Sequence, residues 1–239
     1  MIVDAGTLWQ RAKFEARVAL DRMPTGFAAQ MTVRGHRDLV ASARTDIVIE
    51  GFPRSANTYA VAAFSYAQPS AVRIARHLHA PAQLALAARH RLPALLLMRP
   101  APEPVLSVVV REPYLTVERA LRWYVEFHRA LLPLRESFVV APFDEVLARF
   151  GDVIDRINRR FGASFARYEG GDQAEAIVRK RVEQMEREDS GQSEVRELAV
   201  ARPSQFRNRR KDELRESYES PALRSLRDSA AELYAILTR

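Results

Sequence analysis

The chain contains no cysteine among its 239 residues. A disulfide framework, thiolate metal sites and cysteine nucleophiles are thereby excluded. Lysine is scarce: of 37 cationic residues only Lys13, Lys180 and Lys211 are lysine, leaving 34 arginines. Long apolar runs are missing too. Stretches such as Pro93–Met98 and Val105–Val110 fall far short of the roughly 18 residues a membrane span needs. Asp4 comes early and no positive-then-apolar leader follows, so a cytoplasmic protein is expected. Internal repeats and low-complexity tracts are also lacking.

What remains has ordinary globular composition, 47% hydrophobic and 28% charged. That argues against disorder over the whole chain. The length suits one large domain, so a single domain over residues 1–239 is expected. The net charge is +7. Guanidinium forks bind phosphate and sulfate, so the arginine excess permits an anionic partner, although codon usage accounts for the bulk of it.

Hydrophobic periodicity predicts a helix over 7–30, with Leu8, Ala12, Phe14, Val18 and Leu20 on one face. Short β-branched or apolar runs predict strands at 46–51, 71–79, 93–98 and 138–142. Helices are predicted between them at 58–67, 81–90, 116–132 and 144–161. Prolines 100, 102 and 104 predict an open loop after the third strand. Such alternation implies an α/β fold: three layers, with a short, mostly parallel sheet flanked by helices. Residues 167–200 are rich in charge and read as a lid or a connector, and a helical period returns at 209–237.

The most informative stretch runs Ile47-Val-Ile-Glu-Gly-Phe-Pro-Arg-Ser-Ala-Asn-Thr-Tyr59. It is a strand, a tight turn and a helix start. Such a turn aims several N–H groups at one spot, with the helix dipole behind them, and so makes an anion site. Arg54 adds a fork, and Ser55, Asn57 and Thr58 add donors. The nucleoside-triphosphate loop Gly-x4-Gly-Lys-Ser/Thr does not fit. Counting from Gly51, its second glycine falls on Ala56 and its lysine on Asn57. No Gly-x-Gly-x-x-Gly occurs either.

The stretch resembles the phosphosulfate-binding loop of sulfotransferases that use 3′-phosphoadenosine 5′-phosphosulfate (PAPS), whose pattern is Pro-Lys/Arg-Ser-Gly-Thr-Thr-Trp. Here it reads Pro53-Arg54-Ser55-Ala56-Asn57-Thr58-Tyr59. Ala56, Asn57 and Tyr59 depart from the pattern: asparagine keeps a donor, and tyrosine keeps an aromatic face of the kind the family stacks on adenine. The resemblance implies a P-loop-like sulfotransferase architecture and PAPS as co-substrate, with no metal. It also implies that an arginine ending the next strand unit and a serine eight residues on bind the 3′-phosphate. Arg99 and Ser107 match that spacing. Chemically, a dianionic phosphate suits a cationic fork and a neutral donor. Late in the family's chains a basic segment closes over the nucleotide, and Arg202 and Arg207 in the run Arg202–Lys211 are candidates for it.

The family also places a catalytic histidine upstream of the phosphate-binding arginine. His79-Ala80-Pro81 keeps the His-x-Pro context, whereas His77 stands 22 residues before Arg99, the familiar separation. Strand alternation would put both on one face. Either would serve as general base, with His79 preferred, and Arg54 would stabilise the transferring group and the departing phosphate. The implied reaction moves a sulfuryl group to a hydroxyl or amine of a small-molecule, carbohydrate or lipid acceptor. The rival readings are a P-loop-like kinase, a basic nucleotide- or nucleic-acid-binding protein without catalysis, and a sulfotransferase-like protein that binds nucleotide but has lost activity.

Overall fold

A computed structural model describes residues 5–190 and 205–239. Four strands and ten α-helices occur among them: α1 Ala5–Leu20, α2 Pro24–Val33, β1 Ile47–Gly51, α3 Asn57–Ala67, β2 Ile74–Arg76, α4 Pro81–His90 and β3 Ala94–Met98, followed by α5 Pro102–Arg111, α6 Val117–Arg129, β4 Val139–Pro142, α7 Phe143–Phe161, α8 Asp172–Ser190, α9 Gln205–Glu219 and α10 Arg224–Thr238. The sheet is wholly parallel in the order β2-β1-β3-β4. Helices cover both faces, giving the three layers that the alternation of elements implies.

Strand alternation sorts the core into two halves. Ile47, Ile49, Leu95 and Leu97 face one side, against Val61 and Phe64 of α3, Ile154 of α7 and Val178 of α8. Val48, Leu96 and Met98 face the other, against Leu84 of α4, Leu106 of α5, and Trp123 and Tyr124 of α6. The connections after β1 and β3 therefore leave toward opposite faces. Between their carboxyl ends lies the crevice where open α/β sheets bind ligands.

Several expected elements take a different form. The single helix over 7–30 is two helices, broken before Pro24. Met23 is extended (φ −108°, ψ 106°), as a residue preceding proline prefers, and Pro24 opens α2. The strand expected over 71–79 pairs only at Ile74–Arg76. His77 and His79 lie beyond it with φ of 60° and 51°, so strand alternation does not orient them. The open loop expected after β3 is helix α5, whose Pro102 sits in the first turn, where a missing N–H is harmless. Ser107 is thus held on a helix. Residues 209–237 are two helices, α9 and α10, separated around Ser220-Pro221. Within 167–200, Asp172–Ser190 forms α8, with Ala174, Val178 and Met185 buried in the same core half as Ile47 and Leu97.

Gly51 ends β1 at a point of close approach. A Cβ there would stand 2.5 Å from the Leu97 carbonyl oxygen, a main-chain atom that cannot rotate away. Gly51→Ala is therefore expected to cost about 3 kcal/mol, near the upper end for overpacking. Thermal unfolding should record a drop of roughly 6–12 °C; an unchanged Tm would mean the strands can part there freely.

Candidate functional site

The loop after β1 is pinned from below and strained on top. Phe52 is fully buried, its ring 4.6 Å from Trp123, 5.2 Å from Tyr124 and 5.8 Å from Phe127. Asn57 Nδ2 donates to the Phe52 carbonyl at 3.0 Å, closing the turn. Arg54 and Ala56 both adopt left-handed backbone, with φ of 71° and 68°. Each non-glycine residue in that region costs roughly 1–2 kcal/mol. The cost falls in the turn immediately ahead of α3. Ser55 Oγ is buried and has no hydrogen-bond partner among the described residues. Thr58 lies half-buried in the first turn of α3. Tyr59 turns toward α8: its hydroxyl donates to Glu175 Oε1 at 2.6 Å, an oxygen that Tyr168 shares at 2.8 Å.

Arginines far apart in sequence meet beside this loop. Arg54 Nε donates to Ser107 Oγ at 3.0 Å, and an Arg207 terminal nitrogen donates to the same oxygen at 2.7 Å. Arg207 is only 3% exposed. Arg99 donates to the Arg54 carbonyl at 3.3 Å and lies over Phe143, 3.9 Å from the ring centroid. Its own carbonyl accepts from the Tyr124 hydroxyl at 2.8 Å. Helix α9 is tied down by Lys211, which contacts Glu103 at 2.7 Å, and Glu103 also faces Arg99 and Arg215 at 3.8 Å. Pro53, Arg54, Ser55, Ala56, Asn57, Thr58, Arg99, Ser107 and Arg207 thus surround the carboxyl ends of β1 and β3, and Arg202 lies outside the described residues.

The charges in this cleft oppose one another. Burial pulls Arg54 down to about 9, and the neighbouring cations Arg207, Arg111 and Arg99 add to the fall, partly offset by Glu186. Burial lowers Arg207 too, with Arg111 adding to it, and burial lowers Arg99 against the pull of Glu103 and Asp144. Arginine does not surrender its proton in proteins. The cluster therefore favours an anion that neutralises several guanidiniums together.

The histidines sit on the other side of β1. His79 Nδ1 is 2.9 Å from the Gly51 carbonyl. A carbonyl only accepts, so Nδ1 carries the hydrogen and Nε2 the lone pair. Burial holds the His79 imidazole down at about 3, which keeps it neutral. His77 Nδ1 is 2.6 Å from an Arg76 nitrogen, so it is the acceptor there. The two rings are 6.3 Å apart. Among the described residues, no group of three or more histidine, aspartate or glutamate side chains is arranged to hold a metal.

Three nearby residues escape the sequence reading. Glu50 is fully buried in β1, its Oε1 3.6 Å from His79 Nδ1. A charged residue inside the buried run Ile47–Gly51 was the available signal. Phe143 under Arg99 reads from the sequence as a structural residue, and Arg111 beside Arg54 carries no sequence signal of its own.

No protein-family profile matches the sequence, and neither does any curated protein. Among solved structures, the chain is similar to that of a mouse sulfotransferase, SULT7A1, complexed with PAP. The two are 14% identical, with a TM-score of 0.43, over 83% of this chain and 92% of that one.

The buried ionisable groups set a pH profile for stability. Burial raises the Glu50 carboxyl to about 8 and the Asp21 carboxyl to about 6, from 4.5 and 3.8. Stability from such groups is complete at low pH and is lost as pH rises through the raised values. Burial lowers His79 to about 3 and His128 to about 4, from 6.5, so their contribution is lost as pH falls through those values. Together the four place maximal Tm at about pH 6.5, with a decline toward about pH 4 and about pH 8. Calorimetric scans across that range should show the maximum, and Glu50→Gln should flatten the alkaline limb. A Tm still rising at pH 8 would contradict these assignments.

Proposed function

We propose that this protein is a sulfotransferase that takes a sulfuryl group from PAPS to a hydroxyl or amine acceptor. The observation that carries the reading is the convergence of Arg54 and Arg207 on Ser107 Oγ, with Arg99 alongside, at the carboxyl ends of β1 and β3. These are the residues that the sequence resemblance assigns to the nucleotide.

In this reading the turn Pro53–Tyr59 holds the 5′-phosphosulfate. The N–H groups ahead of α3 and the Ser55 hydroxyl donate to its oxygens, and Arg54 supplies the charge. Arg99, Ser107 and Arg207 hold the 3′-phosphate. Phe143 stacks on Arg99 and limits its rotamers, so less freedom is lost when the phosphate binds. The acceptor oxygen attacks sulfur, and the bond from sulfur to the bridging 5′-phosphate oxygen breaks. The acceptor proton passes to His79 Nε2, the free lone pair of a ring fixed by its Nδ1–H. The leaving group is 3′-phosphoadenosine 5′-phosphate, whose new negative charge forms beside Arg54. His77, with Nδ1 engaged by Arg76, flanks the acceptor side.

Titration calorimetry with 3′-phosphoadenosine 5′-phosphate is expected to give micromolar binding. Arg99→Ala removes a charge-assisted contact of about 1.5–3 kcal/mol, a loss of roughly 10- to 150-fold. Binding of ATP with magnesium in place of the adenosine bisphosphate would replace this reading with a kinase. His79→Ala should leave nucleotide affinity intact and slow sulfuryl transfer by roughly 10²–10⁴-fold. An undiminished rate would remove His79 from the chemistry.

A further inference from the structure

Glu50 is an odd residue to find in β1. Every residue of that strand is buried, and a buried carboxyl group is retained only when its oxygens are used. Both are used here, and on main chain. Oε1 accepts from the Gly51 N–H at 3.1 Å, and Oε2 accepts from the Leu78 N–H at 3.1 Å. The His79 N–H also points to this group. Leu78 lies between two left-handed residues, His77 and His79, in the four-residue connection from β2 to α4. A left-handed pair of that kind persists only where its surroundings over-determine it.

We infer that Glu50 is the positioning residue of His79, clamping the backbone of residues 77–79 while the adjacent Gly51 carbonyl fixes the His79 ring. Residues 50 and 51 thus hold His79 at two points, by Leu78 N–H and by Nδ1–H. The same dipeptide opens the anion loop. The imidazole is thereby registered to the loop across β1 rather than through the short edge strand β2. An apolar residue at 50 would fill the space but leave the Leu78 N–H facing no acceptor. The role of His79 as base rests on the proposed function; the clamp itself does not.

The groups that face His79 and bear on its titration are His77 on its own loop, Glu50 on β1, Arg111 on α5 and Arg17 on α1, while Asp21, in the turn just past α1, acts on Glu50. All are present in both proteins to be compared except the Glu50 carboxyl. Glu50→Gln offers one oxygen in place of two, so either the Gly51 or the Leu78 N–H must face an amide NH₂. The loop is then released and the His79 side chain, 24% exposed in the wild type, becomes more fully hydrated.

The test is an NMR titration of the His79 ring in the full-length protein, wild type against Glu50→Gln. Wild type should hold His79 neutral as the Nδ1–H tautomer from about pH 5 to about pH 8. In the variant its midpoint should climb by about two units or more, toward the ordinary value of about 6.5. A variant that is folded and titrates His79 as wild type does overturns the proposal; a purely packing role would lower Tm without moving that midpoint. If Glu50→Gln does not fold, amide exchange in wild type decides. Leu78 should be slowed about 100-fold or more relative to an open loop amide, and an unprotected Leu78 overturns the clamp. Failure of wild type to bind 3′-phosphoadenosine 5′-phosphate would instead sink the nucleotide reading, with the His79 titration standing on its own.

Discussion

The close approach of β1 and β3 at Gly51 is the constraint on which the site depends. With no side chain at 51, the Leu97 carbonyl comes within 2.5 Å of where a Cβ would be. The two strands then end side by side, and the segments that follow them leave toward opposite faces. Arg54 from the first segment and Arg99 and Ser107 from the second can therefore touch. A bulkier residue at 51 would push the strand ends apart, and the arginine fork would miss the serine hydroxyl. Backbone geometry, more than any one side chain, makes the cleft.

Within that geometry the electrostatics run against folding and toward binding. Arg54, Arg99, Arg111 and Arg207 repel one another in a partly buried cleft, and Glu103, Asp144 and Glu186 offset this only in part. Folding holds the cations together ahead of any ligand, so a doubly charged anion meets donors that need little rearrangement. Of the five left-handed non-glycine residues among those described, Arg54, Ala56, His77 and His79 lie in the loops that follow β1 and β2, and Arg91 caps α4. Glu50 and Gly51 stand between those loops and connect them.

Much of this was legible in the residues. The buried runs at 47–51, 94–98 and 139–142 have strand length and lie between helical periods, so the layered α/β architecture could be read directly. Arg54, Arg99 and Ser107 could be read as one site because their spacing matches a motif. The histidine loop could not. Ile74–Arg76 is too short a strand for alternation to extend to 79, and left-handed backbone at histidine has no compositional mark. Pro102 and Pro104 read as loop, because proline breaks helices in general; at the first turn it begins one. Arg207 could be read only as one of two candidates, with Arg202, in a basic run. Packing, which brings α9 onto α5, adds what the run could not, its burial against Ser107.

The most direct test of the central claim is a crystal structure of the complex with 3′-phosphoadenosine 5′-phosphate. The account predicts 3′-phosphate oxygens within about 3 Å of Arg99 and Ser107, and the 5′-phosphate ahead of α3 beside Arg54. A nucleotide bound elsewhere, or one whose phosphates leave Arg99 and Ser107 untouched, would contradict it.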